Sequence, residues 1–281
     1  MSKEEALFEI QKNSLQSATS FVQYLIDVSG NPKTPRYRLL TLIGEHHNEK
    51  FGCGDAPTIS IAEYVTAYLE RDAKTLVLLE MDHDQHTRGE IPLSEPIRDI
   101  LTSSTPTYLS HMRYYDPRNI FLLPHDRYEL YDTKKGLEMS GEEMWVKYGE
   151  PFYNKWSDIS TQALSHHSYG PKQSIYLRET LPKNIGNDFR KIHSVISGSD
   201  KSRGLEMFRR VWMKVTDWFM MSIMMDSGSS ANTMIAIMGN NHLTHIADEI
   251  LKDGGKMIDQ RGKNDNNCVN LFQTMYIDGM N

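Results

Sequence analysis

The chain has 281 residues, with 31 Lys and Arg against 37 Asp and Glu, for a formal net charge of −6. Such a length suits one large α/β domain or two small ones, and the acidic balance, with no run of basic residues, argues against nucleic acid or an anionic membrane surface as a partner. Two cysteines, Cys53 and Cys268, make no disulfide framework, residues 1–13 are acidic where an export signal is basic and then apolar, and the longest greasy stretch, "VWMKVTDWFMMSIMM", is interrupted by Lys214 and Asp217; the expected setting is soluble and cytoplasmic, with no membrane span.

In chain order, residues 3–28 carry Leu7, Ile10, Phe21, Leu25 and Ile26 at helix-like spacing and stop at Gly30, with Pro32 and Pro35 beyond, which predicts a helix. "YRLLTLIG" is a short continuous apolar run, as expected of a strand buried on both faces. Residues 58–71 place Ile61, Val65 and Leu69 four apart and predict a helix, and "TLVLLEMD" predicts another buried strand. Strand, helix, strand in this order is a βαβ unit with a parallel sheet. "NIFLLPHDR" at 119–127 and "TMIAIMGNNH" at 233–242 predict two more strands of the same sheet, the second followed by a helix, and "CVNLFQTMYI" at 268–277 is a last candidate strand.

Between residues 137 and 227 the strand signal vanishes. Residues 173–197 and 203–226 read as helices, the latter rich in Met and Trp. The expected fold class is therefore α/β, a mostly parallel sheet flanked by helices, forming a single domain over 1–281 with a helical insertion or cap over 137–227.

Each predicted strand ends in polar residues with chemistry. The first runs into Gly44-Glu45-His46-His47-Asn48, the second into Glu80-Met81-Asp82-His83-Asp84, the third into His125-Asp126-Arg127, and the fourth into Gly239-Asn240-Asn241-His242. In an open parallel sheet all strand carboxyl ends lie on one edge, and ligands bind there. One polar strand end is ordinary loop chemistry; four together point to a shared crevice. Imidazole and carboxylate there suit either a divalent metal (Zn, Mn, Fe or Co) that activates water, or a His general base oriented by an acid, with Arg127 offering fixed positive charge to an oxyanion or a substrate carboxylate. The spacing does not choose between the two. Gly44, lacking Cβ, is expected to let the chain turn off its strand and a ligand approach the backbone. His166, His167, His245, Cys53, His83 and His86 are read as loop, surface or packing residues.

Two strand ends share the spelling Gly-x-x-His, at residues 44–47 and 239–242, and this order of motifs resembles the superfamily that groups TraB and TIKI proteins with erythromycin esterase and ChaN-like proteins. "GEHHN" is similar to the Gly-Glu-x-His pattern of the ChaN-like branch, "HDR" to an Asp-Arg element, and "VTDWFMMSI", with Asp217 and Met221, to an Arg-Asn/Asp-x-x-Met-Ala helix, although Thr216 stands in the Arg position. The resemblance covers about residues 40–130 and 210–255. It implies a site at the sheet edge with His47, Glu80 and His242 at its centre, as catalytic or metal-binding groups, and Glu45, Asp126 and Arg127 in support. It further implies hydrolysis of an ester, lactone or peptide bond in a small-molecule or peptide substrate; the alternatives are a non-catalytic haem- or metal-binding protein on the same fold, or an inactive structural or interaction protein.

Overall fold

The computed structural model describes residues 14–29, 31, 33–45, 58–81, 94–115, 131–132, 137–138, 141–196, 201–252, 256–261 and 269–270. The chain forms two compact units, Met1–Tyr115 together with Ser229–Asn281, and Asp116–Gly228. Among the described residues no helix is long and apolar enough to cross a membrane.

The first unit begins with strands, not with the expected helix. β1 (Ser14–Leu15) leads through a turn into β2 (Ala18–Asp27). Phe21 and Ile26 are buried and Leu25 half-buried, but Val22, Tyr24 and Val28 between and beyond them are buried too, so no single helical face stands out. A strand covered on both faces shows no period of two, and its aromatic and β-branched residues favour extended backbone. β3 (Tyr37–Glu45) and the short β4 (Thr58–Ile59) follow, then α1 (Ile61–Arg71). The helix starts where it does because Ser60 caps it. The Ser60 hydroxyl accepts the N–H of Glu63 (3.1 Å), while the Glu63 carboxylate accepts the N–H of Ser60 (2.6 Å). β5 (Thr75–Leu79), α2 (Glu95–Ser103), α3 (Pro106–Leu109) and β6 (Met112–Tyr114) complete the first pass.

After the second unit, which holds the seventh and eighth strands, the chain returns as β9 (Thr233–Gly239), α9 (Asn240–Lys252), β10 (Lys256–Arg261) and β11 (Val269–Asn270). The main sheet has the order β10-β2-β3-β9-β5-β6. β3, β9, β5 and β6 run parallel, and β2 and β10 are antiparallel to their neighbours. The α/β class holds, with one refinement: β3, α1 and β5 form a crossover whose strands are not adjacent, because β9 lies between them. The 268–277 candidate contributes its described residues, β11, to a separate small sheet with β1 and β4. The 119–127 candidate lies outside the described residues.

Register explains both faces of the sheet. Phe21, Ile43, Ile237 and Leu79 stand side by side across four strands and pack in the core shared with Ile61, Val65 and Leu69 of α1 and Ile97 and Ile100 of α2. Tyr24, Leu40 and Met234 stand on the opposite face, where the Tyr24 hydroxyl donates to the carbonyl of Ala247 in α9 (3.2 Å). Burial pushes that hydroxyl's pKa up to about 12, with Asp248 adding to the effect. The entry to β9 is fixed by Arg38, fully buried, whose guanidinium donates to the carbonyls of Ala231 and Ser229 (3.0 Å each).

The second unit holds the antiparallel pair β7 (Tyr131–Asp132) and β8 (Leu137–Glu138) and then only helices among its described residues. α4 (Gly141–Met144) passes through a π-helical turn (Trp145–Gly149) into α5 (Glu150–Ala163); α6 (Pro171–Ile175) passes through another (Tyr176–Thr180) into α7 (Leu181–Ile196); α8 (Lys201–Met224) closes the unit. Each π turn stands directly ahead of a proline at the second position of the next helix, Pro151 or Pro182. A proline ring clashes with the carbonyl four residues back, and a wider turn makes room for it. At Gly149 a Cβ would come within 2.6 Å of both the Trp145 and Phe208 rings, so that bend also depends on the missing side chain. Within the aromatic interior the indoles of Trp156 and Trp218 donate to the carbonyls of Pro182 (2.9 Å) and Leu177 (2.8 Å). The methionines 220, 221, 224 and 225 are buried, as expected of a core stripe.

Just past α8, Asp226 ties two loops together. One carboxylate oxygen accepts the N–H groups of Ser168 and Gly228 (2.8 Å each), and the other faces Nδ1 of His167 at 3.1 Å. Burial raises the Asp226 pKa, but the hydrogen bonds from His167, Ser168 and Gly228 outweigh it and hold the carboxyl below the usual carboxylate range. A carboxyl with a depressed folded-state pKa stabilises the fold above its unfolded value of about 3.9, and the contribution is lost as pH falls through the folded value. Asp226→Asn is expected to cost about 1–2 kcal/mol at neutral pH. In urea unfolding over a pH series the penalty should shrink below about pH 4; a penalty that stays constant with pH would contradict this account.

Candidate functional site

The carboxyl ends of β3, β9 and β5 lie side by side, and β9 is the reference for what gathers there. Its last residue, Gly239, pairs in register with Glu45, the last residue of β3. On the other side the Gly239 N–H donates to Oε2 of Glu80 at 2.6 Å, Glu80 being the residue that follows β5. The second carboxylate oxygen of Glu80, Oε1, lies 3.4 Å from Nε2 of His242 on the first turn of α9. The Glu80 and His242 side chains are 4% and 16% exposed, and Glu45 is 1% exposed. The Glu80 carboxylate and the His242 imidazole thus meet at the start of one helix, with Glu45 beside it in the ladder.

The local sequence accounts for this placement. β5 is short, so Glu80 leaves the ladder while its backbone is still held, its N–H donating to the carbonyl of Ile237 (3.0 Å). The same carbonyl accepts the hydroxyl of Tyr115 (2.8 Å), a buried side chain whose own N–H donates to the carbonyl of Leu79 (3.2 Å). Two donors on one carbonyl fix the spacing of β5 and β9 at the point where the acid departs. Glu80 also meets a structural need: a carboxylate on the backbone N–H that opens a helix satisfies an orphan donor and complements the positive end of the helix dipole, worth about 0.3–1 kcal/mol. That need is met by one oxygen and leaves the other facing the imidazole.

Gly44 has a role different from the expected one. It lies inside β3 and not at a turn, and what approaches it is protein. A Cβ there would meet Oγ of Ser20 and would stand 2.8 Å from Oδ1 and 3.3 Å from Cα of Asn240. Ser20 is the ladder partner of Gly44, next to an irregularity in β2, and its hydroxyl bonds to the side-chain oxygen of Asn240, the first residue of α9. Thr19 adds a bond from its hydroxyl to the Gly44 carbonyl (3.2 Å).

Of the six residues expected at the site, the structure brings Glu45, Glu80 and His242 to the same strand-end region and places Glu80 and His242 in direct contact. His47, Asp126 and Arg127 lie outside the described residues, as do Cys53, His83 and His86. His245 is exposed on α9, and His167 belongs to the Asp226 cluster of the second unit. Asp217 and Met221 are buried in α8 of the second unit. Among the described residues no group of three or more His, Cys, Asp and Glu side chains is arranged to hold a metal ion. Ser20, Tyr115 and Asn240 were not singled out from the sequence. Asn240 stood inside the Gly-x-x-His motif as one of its variable positions, whereas Ser20 was hidden by the helical reading of its segment.

Comparison of the chain with protein-family models, with curated proteins and with solved structures returned no match.

Replacing Gly44 by Ala forces either the Ser20 side chain or the start of α9 to move. The expected cost is about 1–3 kcal/mol of stability, read as a lower urea midpoint with an unchanged slope; a midpoint equal to that of the parent would show that the contact yields freely.

Proposed function

We propose that the chain is a hydrolase of ester, lactone or peptide bonds, of the TIKI, TraB and erythromycin-esterase type, acting on a small-molecule or peptide substrate in the cytoplasm. The observation that carries this reading is the contact between the Glu80 carboxylate and the His242 imidazole at the carboxyl edge of parallel strands. A buried carboxylate beside one ring nitrogen orients an imidazole and fixes its tautomer. With the hydrogen on Nε2 toward Glu80, Nδ1 is the acceptor.

The reaction follows from that orientation. His242 takes a proton from water as the water oxygen bonds to the substrate carbonyl carbon. The proton then passes to the leaving alcohol or amine as the carbon–oxygen or carbon–nitrogen bond breaks. Arg127 supplies positive charge to the oxyanion, Asp126 supports it, and Glu45 sets the other flank of Gly239. A divalent ion, Zn, Mn, Fe or Co, suits the same residues: Glu80 and His242 already present an oxygen and a nitrogen donor side by side, and His47 would be the third ligand. Such an ion would acidify a bound water and polarise the carbonyl.

The test is turnover of a panel of activated esters, lactones and peptides, with elemental analysis of the purified protein. Glu80→Gln and His242→Ala are each expected to lower turnover by about 10²-fold or more, while the melting temperature stays near that of the parent. If both variants fold and keep the parent's turnover and metal content, the proposal is wrong. A Soret band on haem addition, with no turnover by the parent, would favour a haem-binding protein on this fold instead.

A further inference from the structure

We infer that Ser20 and Asn240 form a lock that positions His242 against Glu80; the inference rests on Glu80 and His242 being the working pair. α9 starts with no linker after β9, so the direction of its first turn is set within residues 239–242. Glu80 holds Gly239 from the β5 side through the backbone N–H. Nothing in that single bond fixes the rotation of the helix about it. The second anchor comes from the opposite side: the Asn240 side chain passes over Gly44 of β3 to meet the Ser20 hydroxyl on β2. Any side chain at position 44 would close this path, since even a methyl would stand 2.8 Å from Oδ1 of Asn240.

The buried face of α9 (Leu243, Ile246 and Ile250) and the Tyr24 bond to Ala247 seat the body of the helix, and two anchors on opposite flanks, at residues 239 and 240, set its first turn and so where residue 242 points. His242 lies 3.4 Å from the carboxylate, at the long end of hydrogen-bonding reach, so a small rotation of the first turn separates the pair. Ser20 and Asn240 are thus positioning residues, acting through the helix start rather than on the substrate.

The experiment reads the His242 ring directly, by its ring nitrogen and carbon-bound proton resonances at one fixed pH, assigned by their loss in His242→Gln. Glu80→Gln, Ser20→Ala, Asn240→Ala and Thr244→Ala are compared with the parent. Thr244 bonds to the Asn240 carbonyl on the exposed side of the same turn and serves as the control for a generic disturbance. The indole N–H signals of Trp156 and Trp218 report that the second unit remains folded, and the melting temperature reports on the whole chain. Ser20→Ala and Asn240→Ala are expected to move the His242 signals in the direction that Glu80→Gln moves them, and Thr244→Ala to leave them in place. On the best ester of the panel, Ser20→Ala should lower kcat about tenfold with KM unchanged. The lock is refuted if Glu80→Gln moves the His242 signals while Ser20→Ala and Asn240→Ala do not, or if Thr244→Ala moves them equally. If Glu80→Gln itself leaves them unmoved, the Glu80–His242 pair fails first and the lock with it.

Discussion

β9 is hydrogen-bonded on both sides, to β3 and to β5, and each described group of the candidate site takes its place from that strand. Seven residues, all but the last buried, set the register that brings Ile43, Ile237 and Leu79 level and puts Glu45, Gly239 and Glu80 at one edge. Parallel ladders are slanted and need both faces covered, so such a strand is apolar throughout. Between Thr233 and Gly239 the side chains of β9 are accordingly all apolar, and the polar groups around it stand where its ladder stops. The chemistry gathers at the strand ends because the strand itself has no room for it.

The polar groups that do enter this region are tied to one another in sequence. Tyr115 and the Glu80 N–H share the Ile237 carbonyl, Glu80 holds the Gly239 N–H, and Asn240 meets Ser20. Each bond is worth about 1 kcal/mol net, but leaving any one buried partner unmet costs more. The region is therefore specified more sharply than the bond count suggests, and a carboxylate that ends a strand also opens a helix. The buried guanidinium of Arg38 does the corresponding work at the other end of β9 by holding the carbonyls of Ser229 and Ala231.

The sequence disclosed those parts of the fold that local pattern controls. β3, β5 and β9 were visible as unbroken apolar runs, α1 by its four-residue spacing, and α8 by its Met and Trp stripe. β2 carries no such signal, because "SFVQYLIDV" is buried on both faces and offers no period to separate strand from helix. The strand order was not legible: only pairing between residues some 190 positions apart places β9 next to β3, and no local signal records it. The contact of Glu80 with His242 follows from the strand-end rule once both strands are recognised. The parts played by Ser20 and Tyr115 depend on atoms meeting across the sheet, which neither spacing nor composition encodes.

The insertion of β9 has a consequence for how the protein is made. As the nascent chain leaves the ribosome, β3 and β5 emerge well before their shared neighbour, because the 113 residues from Asp116 to Gly228 must be synthesised first. At about 5–20 residues per second that interval lasts roughly 6–23 seconds. Throughout it, two apolar strands wait with their facing edges open, a template for pairing with other chains. Expression yield would then depend on translation speed and chaperone supply, even when the finished molecule is stable.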